Sequence, residues 1–222
     1  MMENETRVTT GEVRLSYVHL FKPYAAMPNQ EEKYSVTVLV PKTDTATMGR
    51  IQAAVEAAKQ RGIAEKWGGQ MPPMVPTPIY DGDGVRPTDG QAFGAECKGH
   101  WVFTASAKVD YPPEVVDAGC NPIINQSEVY SGIFARVNVS FYPYAFGGKK
   151  GIGCGLGPVQ KLRDGEPLGG SRVSASQVFG NMTPPQPNTY MTGQNNAPWE
   201  SQPTLPQGWT QAAMNPITGM PY

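Results

Sequence analysis

The chain has 222 residues, with 18 Lys and Arg against 19 Asp and Glu, so its formal charge of −1 provides no overall basic footprint for nucleic acid. Glu200 is the only charged residue after position 172, and the body before it is therefore formally neutral. No apolar run is long enough to span a membrane, and the polar N-terminus shows no signal peptide. The three well-separated cysteines favour a reducing, cytoplasmic compartment.

The 25 glycines and 22 prolines make up about a fifth of the chain, which favours β structure with many turns over a helical bundle. Alternating apolar residues predict a first strand over 13–21, and a β-branched run predicts a second over 33–40. Thr43 or Asp44 then caps a helix, which ends at Gly62 or at the Gly68-Gly69 pair. The apolar stripe of this helix comprises Met48, Ile51, Val55 and Ala58.

The second half of the body is predicted to be loops and strands. Residues 70–94 are loop-like, and a loop of this length inside a domain is usually functional or mobile. Strand-like residues return over 98–109, and a long strand is predicted over 128–142. Residues 151–156 are predicted to pair with that strand through the turn Gly147-Gly148-Lys149-Lys150.

The two faces of the long strand carry different chemistry, because side chains alternate across a sheet. The row predicted to face the core is Ile133, Ala135, Val137, Val139 and Phe141. The opposite row is Phe134, Arg136, Asn138, Ser140 and Tyr142. Two rings and a guanidinium suit base stacking and phosphate contact. The same rings could instead be covered by a helix or a partner chain, and the pattern alone leaves both interpretations open.

The strand that follows has glycines on one face, at Gly151, Gly153, Gly155 and Gly157. A face without side chains lets another backbone or a ligand approach closely, and a strongly curved barrel strand also requires glycine. These glycines do not form a nucleotide-binding motif. A Walker A motif would need glycine where Pro143 stands, and the dinucleotide pattern is broken at Leu156 and Pro158.

Catalytic and metal-binding motifs are weak throughout the chain. Cys97 and His100 are spaced like metal ligands, but a structural zinc needs four ligands and no second pair accompanies them. Asp81 and Asp83 resemble the start of a calcium loop, in which Val85 occupies the position of a third oxygen ligand. With two histidines and no nucleophile elbow, the sequence predicts neither an enzyme nor a cofactor or metal site.

Four cations lie beside the two glycine- and aromatic-rich strands, namely Lys149, Lys150, Lys161 and Arg163. Each phosphate contact by such a group adds salt-dependent affinity through the release of counterions. The alternative is that they are ordinary solvated surface residues.

The segment 129–170 resembles a family of bacteriophage single-stranded DNA-binding proteins. The resemblance is carried by Val129-Tyr130-Ser131-Gly132, Phe141-Tyr142-Pro143-Tyr144, Lys150-Gly151-Ile152, Gly155-Leu156 and the run 160–170, and by Tyr34-Ser35-Val36 and Pro41-Lys42 near the start. It implies an OB-fold-like β-barrel without enzymatic activity. Such a protein would coat single-stranded DNA, without sequence preference, during phage DNA replication, recombination and repair in the host cytoplasm.

The domain is predicted to cover residues 1–180, and residues 181–222 are predicted to form a disordered tail. The tail is uncharged apart from Glu200 and is rich in Pro, Asn and Gln, so it cannot bury enough apolar surface to order itself. Its aromatic residues are Tyr190, Trp199, Trp209 and Tyr222. Many members of the resembled family end in an acidic tail, and this chain departs from that pattern. Stacking of its rings, or contact with replication or recombination proteins, would have to replace the role of an acidic tail.

The predicted DNA-binding residues form two sets. The residues expected to stack on bases are Phe134, Tyr142, Tyr144 and Phe146, with Trp101 or Phe103 as further candidates. The residues expected to contact phosphates are Arg136, Lys149, Lys150, Lys161 and Arg163. The alternative function is that of a structural or interaction protein of a phage particle that binds no nucleic acid. A homo-oligomer is compatible with either function.

Overall fold

The computed structural model describes residues 5–25, 27–28 and 30–169. The strands are β1 (Arg7–Thr9), β2 (Val13–Tyr24), β3 (Lys33–Pro41), β4 (Tyr80–Asp81), β5 (His100–Lys108), β6 (Val115–Val116), β7 (Phe134–Phe146) and β8 (Lys149–Arg163), and the helix is α1 (Thr45–Glu65). Short 3-10 turns occur at Ala95–Cys97 and Gln126–Glu128. The mainly β class is therefore confirmed. The predicted tail and the boundary at residue 180 lie outside the described residues and stay predictions.

Five of the strands form a partly closed ring. β2 pairs with β3, β3 with β5, β5 with β8, β8 with β7, and β7 again with β2. The pairings of this ring are antiparallel except for β5–β8, which is parallel and consists of the single pair Ser106–Gly155. This partly open five-stranded arrangement, with one α-helix in the described part of the chain, is OB-fold-like, as the sequence predicts.

Alternation along β7 decides which of its side chains face the core. The predicted inward row is buried, with exposed fractions of 0–1% for Ile133, Ala135, Val137, Val139 and Phe141. The stripe of α1 packs into the same core through Met48, Ile51, Val55 and Ala58. Burying a large apolar side chain stabilises a fold by about 1.5–3 kcal/mol. A register slip of one residue would expose the whole inward row, so the core fixes the orientation of the outward row as well.

The helix begins and ends at sequence signals that were predicted. Asp44 is the N-cap, because its Oδ1 accepts a hydrogen bond of 2.9 Å from the backbone N–H of Thr47. The Thr47 side-chain and backbone hydrogen bonds lower the pKa of Asp44. At the other end, the N–H of Gly69 donates to the carbonyl of Ile63 at 2.9 Å. The helix therefore ends, with Lys66 as its C-cap, just before the Gly68-Gly69 pair, whose φ values are +73° and +80°. In the described part of the chain, no helix is long and apolar enough to cross a membrane.

The long strand begins at Phe134 rather than at the predicted Glu128. Residues 129–132 turn instead toward residues 164–168, and we call this contact the clasp. The hydroxyl of Tyr130 donates to the carbonyl of Gly165 at 2.9 Å, and the N–H of Leu168 donates to the carbonyl of Ser131 at 2.7 Å. Two of the sequence runs that carry the family resemblance thus contact each other, and this contact is structural.

The three cysteines differ in accessibility, and a thiol titration would check their placement. Burial raises the pKa of Cys97 to about 11, with the nearby Glu96 charge adding to the rise, and burial alone raises the pKa of Cys154 to about 12. Cys120 is exposed. Because the thiolate is the reactive form, we expect one fast-reacting thiol per chain at pH 8 in the native state and three in denaturant. Three fast-reacting thiols in the native state would contradict the burial of Cys97 and Cys154.

Candidate nucleic-acid interface

The outward face of β7 and β8 carries an aromatic surface built on glycine. Tyr142 pairs with Gly153 across the two strands, and Tyr144 pairs with Gly151. A Cβ atom at Gly153 would lie 2.6 Å from Cζ of Tyr142, and one at Gly151 would lie 2.6 Å from the Tyr144 hydroxyl. Each ring therefore covers the bare backbone of β8. We call Tyr142, Tyr144 and the two glycines beneath them the tyrosine platform.

The remaining glycines of β8 extend the same arrangement. A Cβ at Gly155 would lie 2.7 Å from Oγ of Ser140, and one at Gly157 would lie 2.9 Å from Oδ1 of Asn138. The predicted close approach to the glycine face is thus made by side chains of β7. The outer side of Tyr142 is open, since 46% of the residue is exposed. Partial burial raises the pKa of its hydroxyl.

The platform is fixed to the body and ends in an exposed hairpin tip. The indole Nε1–H of Trp67 donates to the carbonyl of Tyr144 at 3.1 Å, and Nζ of Lys150 donates to the carbonyl of Trp67 at 3.3 Å. Phe146 is 86% exposed and precedes the Gly147-Gly148 turn. Lys149 is exposed immediately after the turn. The predicted residues Tyr142, Tyr144, Phe146, Lys149 and Lys150 are therefore gathered at one end of the β7–β8 hairpin.

The other end of the hairpin holds the remaining predicted residues, and most of them already have partners. The guanidinium carbon of Arg163 lies 3.5 Å from the ring centroid of Phe134, and Nη2 of Arg163 lies 2.6 Å from Oε1 of Glu12. Lys161 forms an ion pair of 2.8 Å with Asp164. Phe134 is consequently covered from within the chain. The predicted cation cluster is split, and the charges of Lys161 and Arg163 are already matched by acids.

Three of the predicted cations have no carboxylate partner among the described residues: Arg136, Lys149 and Lys150. Arg136 is exposed on β7, and its Nε donates to the carbonyl of Thr10 at 3.4 Å. These three cations lie on the strands or the turn of the hairpin that carries the platform.

The predictions for Phe103 and Trp101 have different outcomes. Phe103 is 1% exposed and packs at 6.2 Å between ring centroids against Phe141 in the core, so its prediction as a stacking residue is wrong. Trp101 is half-buried, and Nζ of Lys42 lies 5.1 Å from its ring centroid. Its role in binding stays a prediction.

Strand β5 and its neighbour β3 add an outward surface that the sequence patterns did not reveal. Across these strands Lys33 pairs with Lys108, Ser35 with Ser106 and Thr37 with Thr104. The two threonine hydroxyls lie 3.1 Å apart. Ser106 is also the residue that pairs with Gly155 of β8, next to the tyrosine platform. We call these three pairs the polar band, and it is continuous with the platform.

An aromatic pocket of about 410 Å³ lies at the far end of the polar band. Its wall includes Tyr17, Tyr80, Phe93 and Arg86, together with both threonines of the band. The predicted functional loop 70–94 supplies several of these residues. Sequence patterns could not bring them together, since Tyr17 is more than sixty positions away from Tyr80 in the chain.

Comparison of the sequence with known protein families identifies the family of this chain. The model of a family described as Enterobacter phage Enc34, ssDNA-binding protein, matches residues 6–188. The chain belongs to this family. Membership in the Enc34 family confirms the resemblance that the sequence runs in 129–170 suggested.

Solved structures from the Enc34 family agree with the fold. The single-stranded DNA-binding protein from bacteriophage Enc34 in complex with ssDNA is 30% identical, with a TM-score of 0.62 over 74% of this chain and 90% of that chain. A second structure of the Enc34 protein is 28% identical, with a TM-score of 0.58 over 78% of this chain and 90% of that chain. A curated relative, "Putative protein p50" of Acyrthosiphon pisum secondary endosymbiont phage 1, is 28% identical over 80% of this chain and 94% of its own length.

Proposed function

We propose that this protein coats single-stranded DNA without sequence preference, using the tyrosine platform to stack bases. The observation that carries the proposal is the pair of rings, Tyr142 and Tyr144, held over Gly153 and Gly151 with the outer side of Tyr142 open. Every base has a π-face, so stacking contributes about 1–3 kcal/mol per base with little regard to sequence. The bacteriophage Enc34 relative in complex with ssDNA supports this proposal.

In this proposal, the phosphate backbone of the DNA runs along the cations beside the tyrosine rings. Arg136, Lys149 and Lys150 have no acidic partner among the described residues. Lys33 lies opposite Lys108 on the polar band, and the charge of Lys33 is already matched by Glu31 at 3.4 Å. Because the chain carries no net positive charge, affinity depends on these local groups and on stacking rather than on long-range attraction.

In the cell, we infer a role for this coating in phage DNA replication, recombination and repair within the host cytoplasm. Coating of this kind protects and straightens single strands and requires no group transfer, so we infer that the protein is not an enzyme. Residues 181–222 remain the predicted contact for replication or recombination proteins.

The test is a titration of labelled oligothymidine and of a matched duplex, followed by fluorescence anisotropy at several salt concentrations. We expect tighter binding to the single strand. The three cations without a carboxylate partner among the described residues, at about 0.7 per phosphate contact, predict a slope of about −2 for log K against log salt. Affinity should therefore fall roughly twentyfold between about 50 and 200 mM salt. A flat salt response would contradict phosphate contact by these residues.

The alternative is a structural or interaction protein of a phage particle. It would appear in the same experiment as a lack of affinity for either DNA, together with large assemblies on size-exclusion chromatography. The same chromatography, on the DNA-free protein, reports any homo-oligomer.

A further inference from the structure

Tyr17 is held in a strained conformation at the mouth of the aromatic pocket. Its φ is +47°, a value that residues other than glycine and asparagine adopt rarely. The strand is irregular at this point, since its register against β3 shifts between Ser16 and His19. A β-bulge of this kind redirects a side chain, and bulges and backbone strain are concentrated at functional sites. The result is a tyrosine that is 67% exposed and lines the pocket.

The opposite wall of the pocket is also aromatic. The rings of Tyr80 and Phe93 lie 6.4 Å apart between centroids, at an interplanar angle of 34°. The loop that carries them is tightly packed at Gly82, where a Cβ would lie 2.1 Å from the carbonyl oxygen of Cys97. The N–H of Gly82 donates to the carbonyl of His100 at 2.9 Å. The aromatic wall is therefore held against β5 by backbone contacts.

The polar groups of the pocket suit a neutral ligand better than an anion. The guanidinium of Arg86 forms an ion pair of 2.9 Å with Asp89 and donates to Gln91 at 3.1 Å. Its Nε–H is buried and has no acceptor among the described residues. Glu96 also lines the pocket. With the arginine charge matched and a second acid nearby, a phosphate gains little here, whereas a flat neutral group suits the aromatic walls.

The pocket continues directly into the proposed DNA path. Thr37 and Thr104 belong both to the pocket wall and to the polar band. From Thr104 the band reaches Ser106, which pairs with Gly155 beside the platform. Single-stranded DNA with a base stacked on Tyr142 can therefore run over small polar side chains of the band to the pocket, without crossing a bulky residue of the band.

We propose that the aromatic pocket receives one nucleobase of the bound single strand, turned out of the base stack and held against Tyr17. The proposal rests on the proposed function and adds a second, separate base-binding position to the tyrosine platform. Insertion of a base between aromatic walls is a recognised way of holding an unstacked nucleotide. The inserted base would fix the position of the DNA along the protein. Stacking on the platform alone does not require such a fixed position.

The test combines a variant with a scan of missing bases. Tyr17→Asn removes the ring, and asparagine tolerates positive φ, so the thermal midpoint should stay the same or rise. Tyr17→Phe keeps the ring. Tyr111→Asn is the matched control, because Tyr111 is 71% exposed and belongs to neither the pocket nor the platform. The ligand is the shortest oligothymidine that binds with full affinity, with one abasic site placed at each position in turn.

For the unaltered protein we expect one abasic position, distant from those stacked on the platform, to lower affinity about tenfold. Tyr17→Asn should lower affinity for intact oligothymidine by a similar factor and lose nothing further at that abasic position, since both changes remove one interaction. Tyr17→Phe and Tyr111→Asn should bind like the unaltered protein. Additive losses, or an unchanged affinity of Tyr17→Asn, would overturn the pocket inference while leaving the platform intact. Failure of the unaltered protein to bind oligothymidine would instead overturn the proposed function.

Discussion

Tyr142→Ala should weaken binding to oligothymidine by about 1–3 kcal/mol, which corresponds to roughly 5- to 150-fold. The reason is that its ring covers Gly153 on one side and is open on the other, so that removing it leaves bare strand backbone where a base would stack. The measurement is fluorescence anisotropy at a fixed salt concentration. Stability should change little, because nearly half of the residue is exposed in the folded protein.

Two further variants separate stacking from other roles of this tyrosine. Tyr142→Phe keeps the ring and should retain affinity if stacking is the main contribution. Gly153→Ala keeps the tyrosine but places a Cβ 2.6 Å from its ring, which forces the ring off the strand. Gly153→Ala should therefore resemble Tyr142→Ala in its loss of affinity. Full affinity in both Tyr142→Ala and Gly153→Ala would show that the platform does not contact the strand.

The parts of the structure that sequence predicted are those set by local periodicity. The alternation along β7 placed Ile133 inside and Tyr142 outside, and both are found there. The sequence predicted that another group would approach the glycine face of β8 closely, and the tyrosine rings of β7 lie against it. These features depend on a period of two within a single strand, and the buried row of β7 fixes the register that turns the other row outward.

What the sequence could not predict depends on contacts between distant parts of the chain. Arg163 was predicted to contact phosphate because it lies beside the glycine- and aromatic-rich strands, yet Glu12, just before β2, lies 2.6 Å from its guanidinium. The sequence around Phe103 does not show on which face of the sheet its side chain lies. The structure places this side chain in the core, on strand β5 where it pairs with β3. The pocket around Tyr17 needs a bulge in β2 and a loop from the middle of the chain. Composition and periodicity carry no information about such long-range pairs.

The clasp is a case in which sequence runs that carry the family resemblance make structural contacts. The runs at 129–132 and 160–170 carried the family resemblance, and they are joined by hydrogen bonds from Tyr130 to Gly165 and from Leu168 to Ser131. Arg14 strengthens the same contact, since its Nη2 donates to the carbonyl of Glu166 at 2.7 Å. The clasp holds the end of β8 beside the start of β7. It therefore stabilises the hairpin that bears the platform.

Gly132→Ala should destabilise the protein by about 3 kcal/mol or more, because two penalties coincide at this position. Its φ is +123°, which a residue with a Cβ rarely adopts, and the added Cβ would lie 2.2 Å from the carbonyl oxygen of Glu166. The atoms it would meet are backbone and cannot turn aside as a side-chain end could. Urea denaturation followed by tryptophan fluorescence measures the free energy of unfolding directly.

Gly148→Ala is the matched control for this prediction. Gly148 also has a positive φ, +75°, but no atom lies within 4 Å of its hypothetical Cβ. Its substitution should therefore cost only the backbone strain, about 1 kcal/mol. A larger loss for Gly132→Ala than for Gly148→Ala reflects the close contact of the clasp together with the less favourable φ of Gly132, and equal losses would show that the clasp is looser than the 2.7–2.9 Å hydrogen bonds of Leu168 and Tyr130 indicate. A clear difference would show that the clasp is closely packed and stabilises the fold beside the β7–β8 hairpin.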